Sequence, residues 1–343
     1  MPLAKLVLVA TVAAAIAVLG CGGRSLHVQM IDATARHPSN VAVYFTVDKS
    51  NGDPVPGLTA QQFQIYEDGQ PVSALESKQT ILNPEVAATH FTLLLVDMSG
   101  SVTESGDVPV IVQAAQSFAD RVQKYQKVAA YAFDGSPEVH EIAGFSSAGS
   151  AAAGIARLAT FKPHDPSTNL NGAILEALKI LHRQMAASST PLTFGTLVVF
   201  TDGTDRAQRV PREQLHKELD ANDLDILVIG VGAEVDAGEL RSIGRSGAIL
   251  NKDRAQIAAS FEAAAARVEA VSKRYYLLGY CSPARAGEHV VRIETKVDGH
   301  GGSLEYKFDA KGFGPECDPN QPPSFSLKRP VPRKPADSGS GRR

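Results

Sequence analysis

The stretch Phe91-Thr-Leu-Leu-Leu-Val-Asp97-Met-Ser-Gly-Ser101 decides how this chain is read. Its apolar half, Phe91 to Val96, has the length and character of a buried strand. A carboxylate follows, Asp97, and then two hydroxyls at alternate positions, Ser99 and Ser101. A strand of this kind delivers all three groups to its C-terminal end. Small hard cations such as Mg2+ take oxygen ligands in near-octahedral geometry, commonly one or two carboxylates with several waters. Asp-x-Ser-x-Ser supplies such a sparse, open set. By itself the stretch also reads as a plain strand-to-helix turn, because Asp and Ser are ordinary loop residues.

Two further pieces lie downstream. Ser167-Thr168-Asn169-Leu-Asn-Gly172 opens an apolar-periodic run from Ala173 to Met185. Thr168 falls at or just before a helix start, where hydroxyls cap. Leu197-Val-Val-Phe-Thr-Asp202-Gly203 is a second apolar strand ending in a carboxylate. Taken singly, Thr168 also reads as an N-cap and Thr-Asp-Gly as a tight turn.

From Phe91 onward the hydrophobic period alternates between 2 and 3.6. Strands are expected at 91–96, 128–133, 196–201, 226–231 and 248–250. Helices are expected at 108–124, 151–158, 170–185, 211–221, 237–244 and 255–272, with a small-residue loop after Phe133. This βαβα order predicts an α/β fold with a doubly wound, mostly parallel sheet. In such sheets ligands bind at the carboxyl ends of the strands, where the three oxygen-bearing junctions meet.

Over roughly residues 89–273 the chain resembles a von Willebrand factor A (VWA) domain with an intact metal-ion-dependent adhesion site. The resemblance implies a Rossmann-like sheet and a divalent metal contacted by Asp97, Ser99, Ser101, Thr168 and Asp202. Mg2+ is the expected ion, with Mn2+ or Ca2+ as alternatives; the carboxylate-poor set disfavours Ca2+, which takes more ligands. It also implies adhesion or complex assembly without turnover, in which an Asp or Glu of a protein partner fills the open coordination position.

The flanks have their own character. Residues 26–88 carry short strand runs, Val41–Val47 and Phe63–Tyr66, separated by Asn51-Gly52, Pro54-Val-Pro56-Gly57 and Glu67-Asp68-Gly69-Gln70. The last is a hairpin turn by its Asp-Gly, with Val72–Leu75 expected to continue the pairing. This segment is similar to the N-terminal part of bacterial VWFA-related proteins. After the last helix, 275–280, 290–296 and 304–308 read as antiparallel strands. We expect residues 274–317 to return to the N-terminal segment, so that both flanks form one small β-sandwich.

Residues 1–20 have the pattern of a signal peptide, with Lys5 as n-region and an apolar stretch from Leu6 to Leu19. They end in Val18-Leu19-Gly20-Cys21, which resembles a bacterial lipobox and implies lipidation of Cys21, with residues 21–25 as a tether. A plain secretory signal is the alternative. The absence of aspartate after Cys21 favours, by family analogy, a lipid-anchored protein of the bacterial cell envelope at the outer membrane. Cys281 and Cys317 then remain, and an oxidising compartment favours a disulfide between them. Residues 318–343 hold six prolines and six Lys/Arg against two Asp, the composition of a disordered basic tail.

With 43% hydrophobic and 21% charged residues the composition is that of a globular protein. A net charge of −3 makes no electrostatic claim on nucleic acid. Gly230-Val-Gly232 begins like a dinucleotide fingerprint, but Val235 stands where the third glycine belongs. His140-Glu141 lacks the second histidine of a zinc protease motif. His164 and Asp165 read as the rim of the metal site or as an exposed loop pair, and Asp205 as an outer contact or a turn residue. A metal-dependent hydrolase would need one of His164 or Asp205 as base. A structural envelope protein with a vestigial metal site is the third reading.

Overall fold

The computed structural model describes residues 25–82, 88–146, 150–190, 192–320 and 325. The expected leader, Cys21 and most of the tail lie outside them. In chain order the first elements are β1 (Leu26–Arg36), β2 (Asn40–Lys49), β3 (Phe63–Glu67), β4 (Gln70–Pro71), β5 (Thr80–Leu82), β6 (Ala88–Asp97), α1 (Gly100–Thr103) and α2 (Val108–Val122). Next come β7 (Lys127–Phe133), β8 (His140–Ser146), α3 (Ser150–Ile155), α4 (Leu170–Ala186), β9 (Leu192–Thr201), α5 (Arg212–Asp220) and β10 (Asp225–Val231). The last are α6 (Ala237–Ile243), β11 (Gly247–Asn251), α7 (Ile257–Lys273), β12 (Tyr275–Cys281), β13 (Glu288–Val297) and β14 (His300–Asp309).

The central sheet has the order β11-β10-β9-β6-β7-β8, all neighbours parallel except β7 and β8. Strands β6, β9 and β10 read as near-continuous apolar runs because both faces of a parallel sheet are covered. On one face lie α2, α3 and α7, through Phe118, Ile155 and Phe261; on the other α4, α5 and α6, through Leu178, Leu219 and Ile243. This is the doubly wound architecture that the sequence pattern predicts. Strand β8 was not expected. His140–Ser146 contains Ala and Gly, which favour strands weakly, and its conformation is set by pairing with the edge of β7.

Two antiparallel sheets, β1-β2-β12-β5 and β14-β13-β3-β4, are built from both flanks of the chain. Their shared core includes Phe45, Phe63, Tyr276, Leu278 and Ile293. The buried carboxylate of Glu67 on one sheet accepts hydrogen bonds from Tyr280 Oη on the other (2.6 Å) and from Ser282 Oγ just beyond it (3.1 Å). The Asp-Gly turn forms as expected, Asp68 and Gly69 both at positive φ (49° and 81°). The hairpin then stops at Pro71: Leu75 is 89% exposed, in a turn instead of the expected strand. The β1 strand was unforeseen; its pattern of half-buried residues gives little periodic signal. Cys281 and Cys317 are disulfide-bonded.

The start of the central sheet rests on the outer face of β1-β2-β12-β5. Ala88, Leu192 and Phe194 pack there with Tyr44, Tyr275, Leu277 and Phe325. Strand β6 leaves this base and ends nine residues later at Asp97, about 30 Å away at ~3.3 Å per residue. The carboxyl ends of the parallel strands thus face away from the sandwich. No helix among the described residues is long and apolar enough to cross a membrane.

Candidate metal centre

From β6 the chain winds one way to β7, then crosses back through α4 to place β9 on the opposite side of β6. The crevice between the carboxyl ends of β6 and β9 is therefore the topological switch point, the place where open α/β sheets bind ligands. Asp97 is the last residue of β6 and Asp202 the first after β9.

Asp97 is fully buried. Its Oδ1 accepts from Ser99 N (3.0 Å) and its Oδ2 from Thr201 Oγ1 (2.7 Å). Burial pushes its pKa up to about 6, opposed by the bonds from Ser99 and Thr201 and reinforced by the nearby Asp202 carboxylate. Ser99 occupies the N-cap position of α1, with extended backbone (φ −64°, ψ 174°). Its Oγ lies 3.3 Å from that of Ser101, and Ser101 Oγ donates to Asp202 Oδ1 at 2.8 Å. Ser101 is exposed while Asp97, Ser99 and Asp202 are buried, so the oxygen cluster opens to solvent on one side.

Thr168 reaches this neighbourhood on the loop before α4. It is buried and stands one residue before the helix cap, which is Asn169: its Oδ1 accepts from Gly172 N. The loop is pinned by backbone bonds from Gly100 N to Pro166 O (2.8 Å) and from Ala207 N to Thr168 O (2.9 Å). A Cβ on Gly100 would stand 3.0 Å from both Pro166 Cβ and Pro166 O, so glycine is what lets the two loops approach. Contacts thus join Asp97, Ser99, Ser101 and Asp202 directly, and Thr168 through its loop. The donors are all oxygen, two carboxylates and three hydroxyls, a set that suits a hard divalent cation.

Three participants were not foreseen. Thr201 holds Asp97 through its hydroxyl, which also accepts from Gly203 N. Arg254 places Nη2 2.6 Å from Asp202 Oδ2 and Nη1 2.8 Å from Asp107 Oδ2, a guanidinium where a cation is called for. The hydrogen bond from Arg254, ahead of its charge, holds the Asp107 carboxyl below its usual range. Gly100 is the third. Thr201 precedes a motif aspartate and Arg254 follows the edge strand β11, so the signal available was their position at strand carboxyl ends.

The other considered residues have separate places. Asp205 accepts from Asn171 N (3.4 Å) at the start of α4, and burial raises its pKa. Asp165 accepts from Ser167 N (2.9 Å) and Arg209 Nη2 (2.8 Å). Glu141 accepts from Tyr131 Oη (2.7 Å).

The family model for the von Willebrand factor type A domain matches residues 93–269, more than half of the chain. The chain belongs to this family. The VWA region is the central sheet with its helices, and the antiparallel sheets are additions from its flanks. Among solved structures, one similar to this chain is a von Willebrand factor type A protein of Catenulispora acidiphila: 13% identity over 84% of this chain and 74% of that one, TM-score 0.41. Another is the von Willebrand factor domain of the type V pilus tip protein Mfa5 of Porphyromonas gingivalis: 11% identity, 55% and 97% covered, TM-score 0.41. A third is proximal thread matrix protein 1 from the mussel byssus: 16% identity over 58% of this chain, TM-score 0.41; this chain spans about half, 49%, of that protein's length. No curated protein sequence matches this VWA chain.

Proposed function

We propose that this VWA protein is a non-enzymatic, divalent-metal-dependent protein-binding module, lipid-anchored through Cys21 at the bacterial cell envelope. The observation that carries the reading is the joined cluster of Asp97, Ser99, Ser101 and Asp202 at the switch point, open to solvent beside Ser101. Asp97, Ser99, Ser101, Thr168 and Asp202 would hold the ion, Mg2+ in the first instance and Mn2+ as alternative. Bound there, the ion supplies residual positive charge and a position that a carboxylate of a protein partner can fill. Asp97, buried and fixed by Ser99 N and Thr201, anchors the inner side; Ser101, the exposed member, faces the partner.

The donor set favours binding over turnover. Metal-assisted hydrolysis needs a base within hydrogen-bond reach of the activated water. Asp205 is committed to the first turn of α4, and the His164 ring packs edge-on against His140, centroids 4.9 Å apart.

The test is calorimetric Mg2+ titration together with capture of a partner from envelope extract, with and without EDTA, for the wild type and Asp97→Ala. The expected result is that Asp97→Ala abolishes both Mg2+ binding and capture while circular dichroism is unchanged. Capture that persists in EDTA overturns the reading. If Asp97→Ala unfolds, Asp202→Ala carries the same test. For the anchor, Cys21→Ala is expected to move the protein from the membrane to the soluble fraction.

A further inference from the structure

Beside the oxygen cluster lies a second group of chemistry-bearing side chains. Asp134 follows β7, His140 opens β8, and His164 stands on the loop that carries Thr168. One nitrogen from each imidazole and one carboxylate oxygen of Asp134 lie within 4.8 Å of one another. We propose that these three residues form a separate site for a borderline divalent metal, of which Zn2+ is the type.

The chemistry differs from that of the five oxygens. Two imidazoles and one carboxylate suit zinc, and three protein ligands leave a fourth position open. His140-Glu141 lacks a second histidine one helical turn away, but the fold supplies one from across the chain, His164. Glu141 plays no part, being bonded to Tyr131.

Asp134 is fully buried and rigidly held. Its Oδ1 accepts from Ser136 N (2.8 Å) and from Ser136 Oγ, and its Oδ2 from His164 N (2.7 Å). Ligating carboxylates are commonly oriented by such outer hydrogen bonds. His140 Nε2 stands 4.0 Å from Asp134 Oδ1, too far for a hydrogen bond. That nitrogen is shielded from water and has no hydrogen-bond partner among the described residues. A buried polar atom without a partner is costly, and a metal bond removes the cost.

Zinc bonds of about 2.0–2.2 Å put tetrahedral donors roughly 3.4 Å apart. The widest separation, at most 4.8 Å, must therefore close by no more than about 1.4 Å. Asp134 is fixed by its bonds, whereas His164 is exposed, so its ring, packed edge-on against His140, is the group that must turn inward. An ion here ties the end of β7, the start of β8 and the loop of Thr168 to one centre.

The experiment is titration of the metal-stripped full chain with Zn2+, and with Co2+ followed by its visible absorption, for wild type, Asp97→Ala, His140→Ala and His164→Ala. The expected result is a zinc equivalent that survives in Asp97→Ala and weakens by at least about 100-fold in each histidine variant. His164 is exposed, so its replacement leaves the core intact and keeps the test decisive if His140→Ala misfolds. The proposal is overturned if wild type binds no zinc at micromolar concentration, if binding is lost only in Asp97→Ala or in all three variants, or if it survives in both histidine variants.

Discussion

Strand β6 carries His90 near one end and Asp97 at the other, and burial pushes both towards their neutral forms with different consequences. At the base, the His90 ring lies between Phe194, stacked at 4.9 Å, and Tyr275, edge-on at 4.9 Å. Burial, assisted by the charge of Arg274, lowers its pKa to about 4. A neutral imidazole among rings asks for nothing more. At the far end, Asp97 at about 6 faces Asp202 and two serine hydroxyls, and Arg254 pairs with Asp202. Aromatic packing resolves the burial of an ionisable group at the base. A carboxylate pair in a polar crevice is relieved by a proton or by a cation, so one end of the strand is a packed joint and the other opens into an oxygen-lined crevice.

The contrast can be broken at the sandwich end first. Reducing the Cys281–Cys317 bond, which closes a loop of 36 residues, should cost about 4 kcal/mol of stability in the flanking sheets. Mg2+ affinity should be unchanged; denaturant titration and calorimetry read the two separately. A fall in affinity means the two ends are coupled.

The next effect is on pH dependence. His90 has a folded pKa of about 4 against roughly 6.5 unfolded. Above pH 6.5 it contributes no pH dependence. As pH falls from 6.5 to 4 the unfolded state takes the proton first, so stability drops by up to about 3 kcal/mol. His90→Phe should remove that component from chemical denaturation curves measured across the range. An unchanged slope places the acid lability elsewhere.

Smaller effects belong to the far end. Thr201→Val takes a donor from Asp97 Oδ2 and should weaken Mg2+ binding roughly 10- to 100-fold, as loss of outer contacts does at metal sites. Arg254→Gln removes the guanidinium with which an ion competes for Asp202. That pair is partly exposed and screened, so affinity should rise by no more than about 10-fold. A drop in affinity would make Arg254 a support for Asp202 instead of a competitor.

Much of this arrangement could be read from the chain. The apolar runs ending in Asp97 and before Asp202 are legible because a strand covered on both faces must be apolar throughout and must change character where it emerges. Asp68-Gly69 announces its turn because few residues tolerate positive φ at both positions. What escaped has a common cause. β1 and β8 lie at sheet edges, where a neighbour's unpaired backbone, and not side-chain pattern, fixes the conformation. Leu75 was misplaced because an apolar side chain in a turn looks like a strand residue.

The sequence by itself determined the order of strands and helices, the family and the oxygen-bearing residues, since hydrophobic period and local turn chemistry act over a few neighbours. Only the tertiary structure decided that Arg254 sits on Asp202, that Thr201 holds Asp97, and that His164 comes within reach of His140 and Asp134. Those meetings join residues up to 104 positions apart, and they follow from which strand lies beside which, a property of the packed sheet that no local segment encodes.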